Sequence, residues 1–204
     1  MTIEKIEPIH AKKKKVIMQD GRCFALYNSE IYRYKLSEGE ELSEELYGEI
    51  GTVLKKRAKE RLMGLLKNRD YTEYQLRAKL RQGFYPEDAI ESAIQYGKEH
   101  HYIDDLRYAR LYVEQKGNSV GRRMLCRKLS EKGIEREIVE QVIEDQGDEE
   151  EAALEALIRK KNIDFSVLSW QERQKICAYF MRKGFTYENI LKKINEISST
   201  DYLT

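Results

Sequence analysis

Three stretches of this chain align on one another without a gap: LRAKLRQGFYPEDAIESAI from Leu76 to Ile94, LCRKLSEKGIEREIVEQVI from Leu125 to Ile143, and ICAYFMRKGFTYENILKKI from Ile176 to Ile194. The offsets are 49 and 51 residues. Apolar residues share columns: Leu76, Leu125 and Ile176; Leu80, Leu129 and Phe180; Ile90, Val139 and Ile190; and the three closing isoleucines. Their spacing is that of one helix face on each side of a turn. A unit this small cannot bury such faces alone, so the pattern predicts tandem helical units that stack on their neighbours.

The middle copy shows the whole unit, from His101 to Ile143. Asp104 and Asp105 precede Leu106, Ala109 and Val113, an acidic cap followed by apolar residues at helical spacing. The turn residues Lys116 to Gly121 follow, then a basic helix with Leu125 and Leu129 on one face. Gly133, suited to the left-handed conformation that closes a helix, introduces a third, acidic helix carrying Ile138, Val139, Val142 and Ile143. The third copy has its own first helix from Glu150 to Lys161, reached through Gln146-Gly147-Asp148. Asn162 to Leu168 then leads to Ser169, which with Glu172 forms a capping box.

The first copy opens at Ser43 and Glu44 and runs through Ile50, Leu54, Ala58, Leu62 and Leu65, with Gly48 and Gly51 expected to break its first turns. Thr72 and Gln75 make a capping box for its second helix. Phe84 occupies the column of Gly133 and Gly184, because Gly83 is displaced by one. That predicts a differently built turn in the first unit, with Pro86 starting its third helix.

The segment before the repeats differs in kind. Val16 to Tyr27 and Glu30 to Leu36 are rich in Val, Ile, Tyr and Phe and are interrupted by Asp20-Gly21 and Asn28-Ser29, which are hairpin signals. A sheet of two or three strands is expected, and because such a sheet is marginal alone it should pack on the helices that follow. The expected organisation is a β-rich segment over 1–42, helical repeats over 43–104, 105–147 and 148–197, and a frayed tail over 198–204. With 36% of residues charged, the repeats are expected in a thin, elongated packing.

The net charge of +1 gives no polyanion partner by itself, but the signs are segregated. From Gly51 to Tyr85 there are ten basic and three acidic residues; from Leu106 to Ser130, seven and one; from Glu131 to Glu155, two and eleven. Cys23, Cys126 and Cys177 are odd in number and widely spaced, which suggests neither a disulfide framework nor a zinc knuckle and fits a reducing cytosol. No window approaches a membrane span and the N-terminus has no cleavage pattern, so a cytoplasmic protein is expected.

No pattern of catalysis or cofactor binding emerges. The adjacent His100 and His101 point to different faces, which is awkward for a shared metal. Gly117 to Gly121 lacks the spacing and the Lys of a phosphate-binding loop. Asp104 and Asp105 are better explained as a helix cap than as catalytic carboxylates. Recurrence instead singles out the middle helix of each unit: Arg77, Lys79 and Arg81 in the first, Arg122, Arg123, Arg127 and Lys128 in the second, and Arg182 and Lys183 in the third. One basic helix per repeat can line a polyanion or an acidic groove of a polymeric protein.

Tyr102-Ile103-Asp104-Asp105-Leu106-Arg107-Tyr108-Ala109, followed by Gly121-Arg122-Arg123 and Lys132-Gly133-Ile134, resembles the bacterial RecX family, regulators of the RecA recombinase. The resemblance spans about Ala58 to Ile197 and leaves the β-rich segment aside. It implies three tandem three-helix repeats in a curved arrangement, binding in the groove of the RecA filament on single-stranded DNA, inhibition of ATPase and strand exchange, and filament loss. With no catalytic or cofactor pattern in the residues, no enzyme activity and no cofactor are expected, and the protein is expected to be a monomer that meets DNA directly or through RecA. The nine basic residues above then become the expected contacts, and Tyr102, Ile103, Asp104, Asp105, Tyr108, Ala109 and Gly133 the structural motif. Tyr179 and Phe180, where the second unit has Lys128 and Leu129, make the third middle helix less basic. Two other readings stand beside it: a nucleic-acid-binding helical repeat protein acting alone, and an adaptor that uses its acidic stretch from Glu131 to Glu155.

Overall fold

The structure, a computed structural model, describes residues 1–145, 149–161 and 168–200, without the side chains of 198–200. The chain divides into two compact units, Met1–Asp104 and Asp105–Thr204.

The first unit opens with an antiparallel sheet in the order β1-β2-β3, formed by β1 (Ile3–His10), β2 (Lys13–Met18) and β3 (Cys23–Tyr27). Asp20-Gly21 makes the predicted turn between β2 and β3, with Gly21 at φ 84° and the Asp20 carboxylate accepting the Arg22 amide at 3.0 Å. Two expectations fail here. β1, an edge strand of the three-stranded sheet that carries Pro8, supplies a strand that the sequence pattern did not flag. The β-prone run after Asn28 is instead a helix, α1 (Asn28–Arg33). The Glu30 carboxylate accepts the Tyr27 amide at 2.8 Å and pairs with Arg57, so a cap and a tertiary ion pair override the local β preference of Ile31 and Tyr32.

Three helices complete this unit: α2 (Glu44–Leu66), α3 (Glu73–Gln82) and α4 (Glu87–Glu99). Ser43 caps α2 by accepting the Leu46 amide, and Thr72 and Gln75 form the expected capping box on α3. α2 runs unbroken through Gly48 and Gly51, against expectation. Each glycine costs a helix about 1 kcal/mol. Burial of Ile50, Leu54 and Leu62 along the same helix contributes about 1.5–3 kcal/mol per side chain and outweighs that cost. Ile3, Val16, Met18 and Phe24 of the sheet share one core with Leu54, Leu76, Leu80, Ile90 and Ile94, so the sheet does pack on the first repeat.

The second unit holds two three-helix repeats, α5 (Asp105–Lys116), α6 (Arg122–Glu131) and α7 (Arg136–Glu144), then α8 (Glu149–Lys160), α9 (Trp170–Arg182) and α10 (Tyr187–Thr200). Each has its own core, around Leu125, Leu129 and Val139 in one and around Phe180, Ile190 and Ile194 in the other. Ser169 and Glu172 form the predicted capping box on α9. α10 continues to Thr200, past the expected start of the tail at Ser198; 201–204 and both linkers, at 146–148 and 162–167, lie outside the described residues.

The fold is thus mainly helical with three-helix repeats and a small sheet, and its turns correct one prediction. Phe84 takes the same left-handed conformation as its column partners, at φ 57° against 77° for Gly133 and 97° for Gly184. The hydrogen bonds match: Tyr85, Ile134 and Phe185 donate their amides to Leu80, Leu129 and Phe180. The first turn is therefore built like the others, with a phenylalanine held where glycine belongs. Its ring lies 5.0 Å below the Lys15 ammonium of β2, a contact the other two turns lack a sheet to make. Pro86 is the N-cap of α4, one residue before the helix starts.

Candidate partner-binding surface

The nine nominated cations divide sharply once their partners are known. Arg77 on α3 is only 20% exposed and reaches three carboxylates: Glu73 at 2.7 Å, Glu91 at 2.8 Å and Glu87 at 3.9 Å. Burial pulls its pKa down, the hydrogen bonds it donates to Glu73 and Glu91 outweigh that, and the net shift is upward. Arg81 pairs with Glu87 at 2.6 Å, and the Lys79 ammonium sits 5.3 Å from the Tyr71 ring. These three mostly tie α3 to α4 and its flank.

On α6, Arg127 and Lys128 both pair with Glu131, at 3.5 Å and 2.8 Å. Exposed i,i+3 and i,i+4 pairs of this kind contribute a few tenths of a kcal/mol, so they leave the charge available to a partner. Arg122 is held differently. Its backbone amide donates at 2.9 Å to Glu150 of α8, a carboxylate only 10% exposed, and its guanidinium lies 3.7 Å from the same group. Gly121, the N-cap of α6, has no side chain to cap with, and Glu150 of the next repeat does it instead.

That carboxylate marks a contact the sequence reading missed. The Gly121 amide donates to the Lys183 carbonyl at 2.9 Å and the Arg123 amide to the Gly184 carbonyl at 3.3 Å, joining the start of α6 to the turn after α9. The Lys183 ammonium donates to the Ser119 carbonyl at 3.2 Å. Arg122, Arg123, Arg182 and Lys183 therefore gather around one backbone contact. Of these, Arg123 and Arg182 are exposed and carry no ion pair among the described residues. The only sequence signal was a pair of glycines, which looked like turn residues.

A second missed feature belongs to α9 and α10. Cys177, Met181, Tyr187 and Leu191 line an open groove of about 350 Å³ between α9 and α10, together with Trp170 and Arg173. Trp170 is 71% exposed and Tyr187 51%. In the gapless alignment those four positions correspond to Arg77, Arg81, Glu87 and Glu91. The face that the first repeat fills with ion pairs is an uncovered apolar groove in the third. The substitutions were visible in the alignment, but the ion-pair network that gives them meaning was not.

Three family models match the chain, the first, second and third three-helix domains of RecX, over residues 58–96, 104–143 and 148–194. The regulatory protein RecX of Caldanaerobacter subterraneus subsp. tengcongensis is 32% identical over 201 residues, covering 96% of this chain and 99% of that one. The chain belongs to the RecX family.

Other RecX relatives agree. The regulatory protein RecX of Vibrio vulnificus is 31% identical over 133 residues, covering 65% of this chain and 87% of its own. The crystal structure of RecX from Lactobacillus salivarius superposes with a TM-score of 0.65 at 26% identity, over 71% of this chain and 97% of that one. A further crystal structure of a regulatory protein RecX, at 22% identity, shares the fold with a TM-score of 0.61 over 98% of each chain.

The motif through which the sequence resembles RecX builds local structure. His101 closes α4 at φ 56°, and the Tyr102 and Ile103 amides both donate to the Gly97 carbonyl, at 2.8 Å and 3.1 Å. The Ile103 side chain is buried against Gly97, where a Cβ would stand 2.6 Å from its Cδ1. Tyr102 stacks on His100 at 5.8 Å. Asp104 and Asp105 stand at the start of α5, where Ala109 is fully buried, and Gly133 makes the turn after α6. The Lys132 ammonium lies 5.6 Å from the Tyr108 ring. Among the described residues, no group of three or more His, Cys, Asp and Glu side chains is placed to hold a metal ion, and no helix is long and apolar enough to cross a membrane.

Proposed function

We propose that this RecX-family chain is a cytoplasmic, non-catalytic regulator of RecA in recombination and DNA repair. It binds as a monomer in the groove of the RecA filament on single-stranded DNA, inhibits ATPase and strand exchange, and promotes filament disassembly. The observation that carries a protein partner is the apolar groove of Trp170, Met181, Tyr187 and Leu191, which has Arg173 in its lining and Arg182 at the end of α9. Aromatic anchors beside arginine are the composition of protein–protein hot spots, whereas a bare polyanion needs no apolar groove. Arg123 and Arg182 are the foremost polar contacts, with Arg122, Arg127, Lys128 and Lys183 around them. Arg77, Lys79 and Arg81 contribute less, because a partner must first compete with Glu73, Glu87 and Glu91 for two of them.

The test is the single-stranded-DNA-dependent ATPase of RecA titrated with the wild-type chain, an Arg123→Glu/Arg182→Glu variant and a Trp170→Ala/Leu191→Glu variant. Both variants are expected to keep the helical circular dichroism of the wild type and to lose inhibition. Inhibition at wild-type potency by either one refutes this assignment of the surface.

A further inference from the structure

The lysine run of β2 is split by its pleat. Lys13 and Lys15 point to one side, where their ammonium groups lie 5.5 Å and 5.0 Å from the ring centroids of Tyr85 and Phe84. Lys14, between them, points to the other side and lines an open cleft of about 710 Å³ together with Asn28, Tyr32, Arg33 and Lys35. One carboxylate, Glu40, stands against three cations in that lining.

Tyr32 is 87% exposed, the highest value of any large apolar side chain among the described residues, and no ring or cation there packs on it. A lone exposed aromatic is unremarkable, but this one shares its cleft with three cations, of which only Arg33 has side-chain partners among the described residues, Glu49 and the Tyr34 ring. Lys14 and Lys35 have no ion pair among the described residues, and Arg33 reaches Glu49 only at 3.9 Å with both groups largely exposed. Lys35 also holds a left-handed conformation at φ 52° in the turn that closes α1, with its amide donating to the Tyr32 carbonyl at 3.1 Å. Glycine would hold that turn without strain, so a cation is kept there at a cost. Attraction of cations to a helix C-terminus accounts for Arg33 and Lys35 but for neither Lys14, which comes from a strand, nor the bare ring of Tyr32.

We infer that this cleft is a binding site for single-stranded nucleic acid, with a base stacked on Tyr32 and backbone phosphates on Lys14, Arg33 and Lys35. A duplex keeps its bases stacked inside and has no free face to offer the ring, whereas an unpaired base does. The site is built by β2, α1 and the segment after α1, it shares no residue with those assigned to RecA contact above, and it does not depend on that assignment.

The experiment is fluorescence anisotropy of a labelled oligothymidylate with the full-length chain, over a range of salt concentrations. Tyr32→Ala is expected to weaken binding by about fivefold or more, and Tyr32→Phe to keep it. A Lys14→Gln/Lys35→Gln variant should reduce the slope of log affinity against log salt by about 1.4, near 0.7 per phosphate contact on a single strand. An abasic strand of equal length should bind the wild type as weakly as thymidylate binds Tyr32→Ala. The Arg123→Glu/Arg182→Glu variant should bind the oligonucleotide like the wild type, which separates this site from the RecA surface. The site is refuted by any of four results: no binding, affinity indifferent to Tyr32→Ala, equal affinity for the abasic strand, or equal affinity for a duplex of the same length.

Discussion

Gly121 and Gly184 meet backbone to backbone: a Cβ on Gly121 would stand 2.5 Å from the Gly184 carbonyl carbon, and one on Gly184 would stand 2.4 Å from the Met124 nitrogen. Backbone cannot step aside as a flexible side chain can. Gly121→Ala and Gly184→Ala are therefore each expected to destabilise the second unit by about 2–3 kcal/mol, the upper range for overpacking. Gly184→Ala adds the strain of φ 97°. Gly21→Ala is the control, with φ 84° but open space around its Cβ, and should cost only about 1 kcal/mol. Urea unfolding of the three variants gives the comparison, and equal losses would refute the close contact.

Glu150 caps the first turn of α6 from the neighbouring repeat, with Asn189 of α10 donating to its second oxygen at 3.5 Å. Losing a cap of this kind costs about 0.5–2 kcal/mol. Glu150→Ala is expected to fall in that range, with Glu150→Gln recovering most of it, because the amide oxygen still accepts the Arg122 amide. If hydrogen exchange at the Arg122 amide is no faster in Glu150→Ala than in the wild type, the cap is not formed in solution.

Phe84 holds a left-handed turn that its equivalents fill with glycine. Replacing it by glycine relieves about 1 kcal/mol of strain while giving up the contact with Lys15 and part of the packing. Phe84→Gly should therefore lie within about 1 kcal/mol of the wild type. Phe84→Val is expected to lose about 2 kcal/mol or more, since a β-branched side chain tolerates positive φ poorly. Thermal melting decides the order, and a valine variant as stable as the glycine one would contradict it.

Glu73 gives the first repeat an acid-sensitive tie. Burial pushes its carboxyl pKa up, hydrogen bonds from Lys98 and Arg77 outweigh that, and the net shift is downward from the ordinary 4.5. A carboxyl whose pKa is lowered by folding contributes stability fully above the unfolded value and loses it as the pH falls through the folded one. The stability of the first unit should thus be flat in this respect above about pH 4.5 and decline below it. Glu73→Gln should be less stable at neutral pH and show a shallower decline in acid. A melting temperature that falls as steeply in acid for Glu73→Gln as for the wild type would assign the loss elsewhere.

The repeat columns were legible because each apolar residue is chosen by its own helix face, and Leu80, Leu129 and Phe180 duly lie buried at equivalent places. Capping boxes at Thr72 and Ser169 were legible for the same reason, since cap and capped amide stand three residues apart. α1 was not, because its deciding partner, Arg57, is 27 residues from Glu30. The basic character of the middle helices was equally plain, yet Arg77 and Arg123 looked alike in sequence and differ completely in the fold. The three carboxylates around Arg77 arrive partly from α4, while Arg123 stands exposed beside a turn 61 residues further on at Gly184.

By itself, then, the sequence determined the helices of the repeats, the capping boxes at Thr72 and Ser169, the repeat and the family, all set by interactions within a few residues or by apolar periodicity. Only the tertiary structure decided which charges remain available, which apolar face stays uncovered and why Gly121 tolerates no side chain. Those depend on what distant segments bring to the same point in space, and neither a charge nor a glycine records its partner in its own neighbourhood.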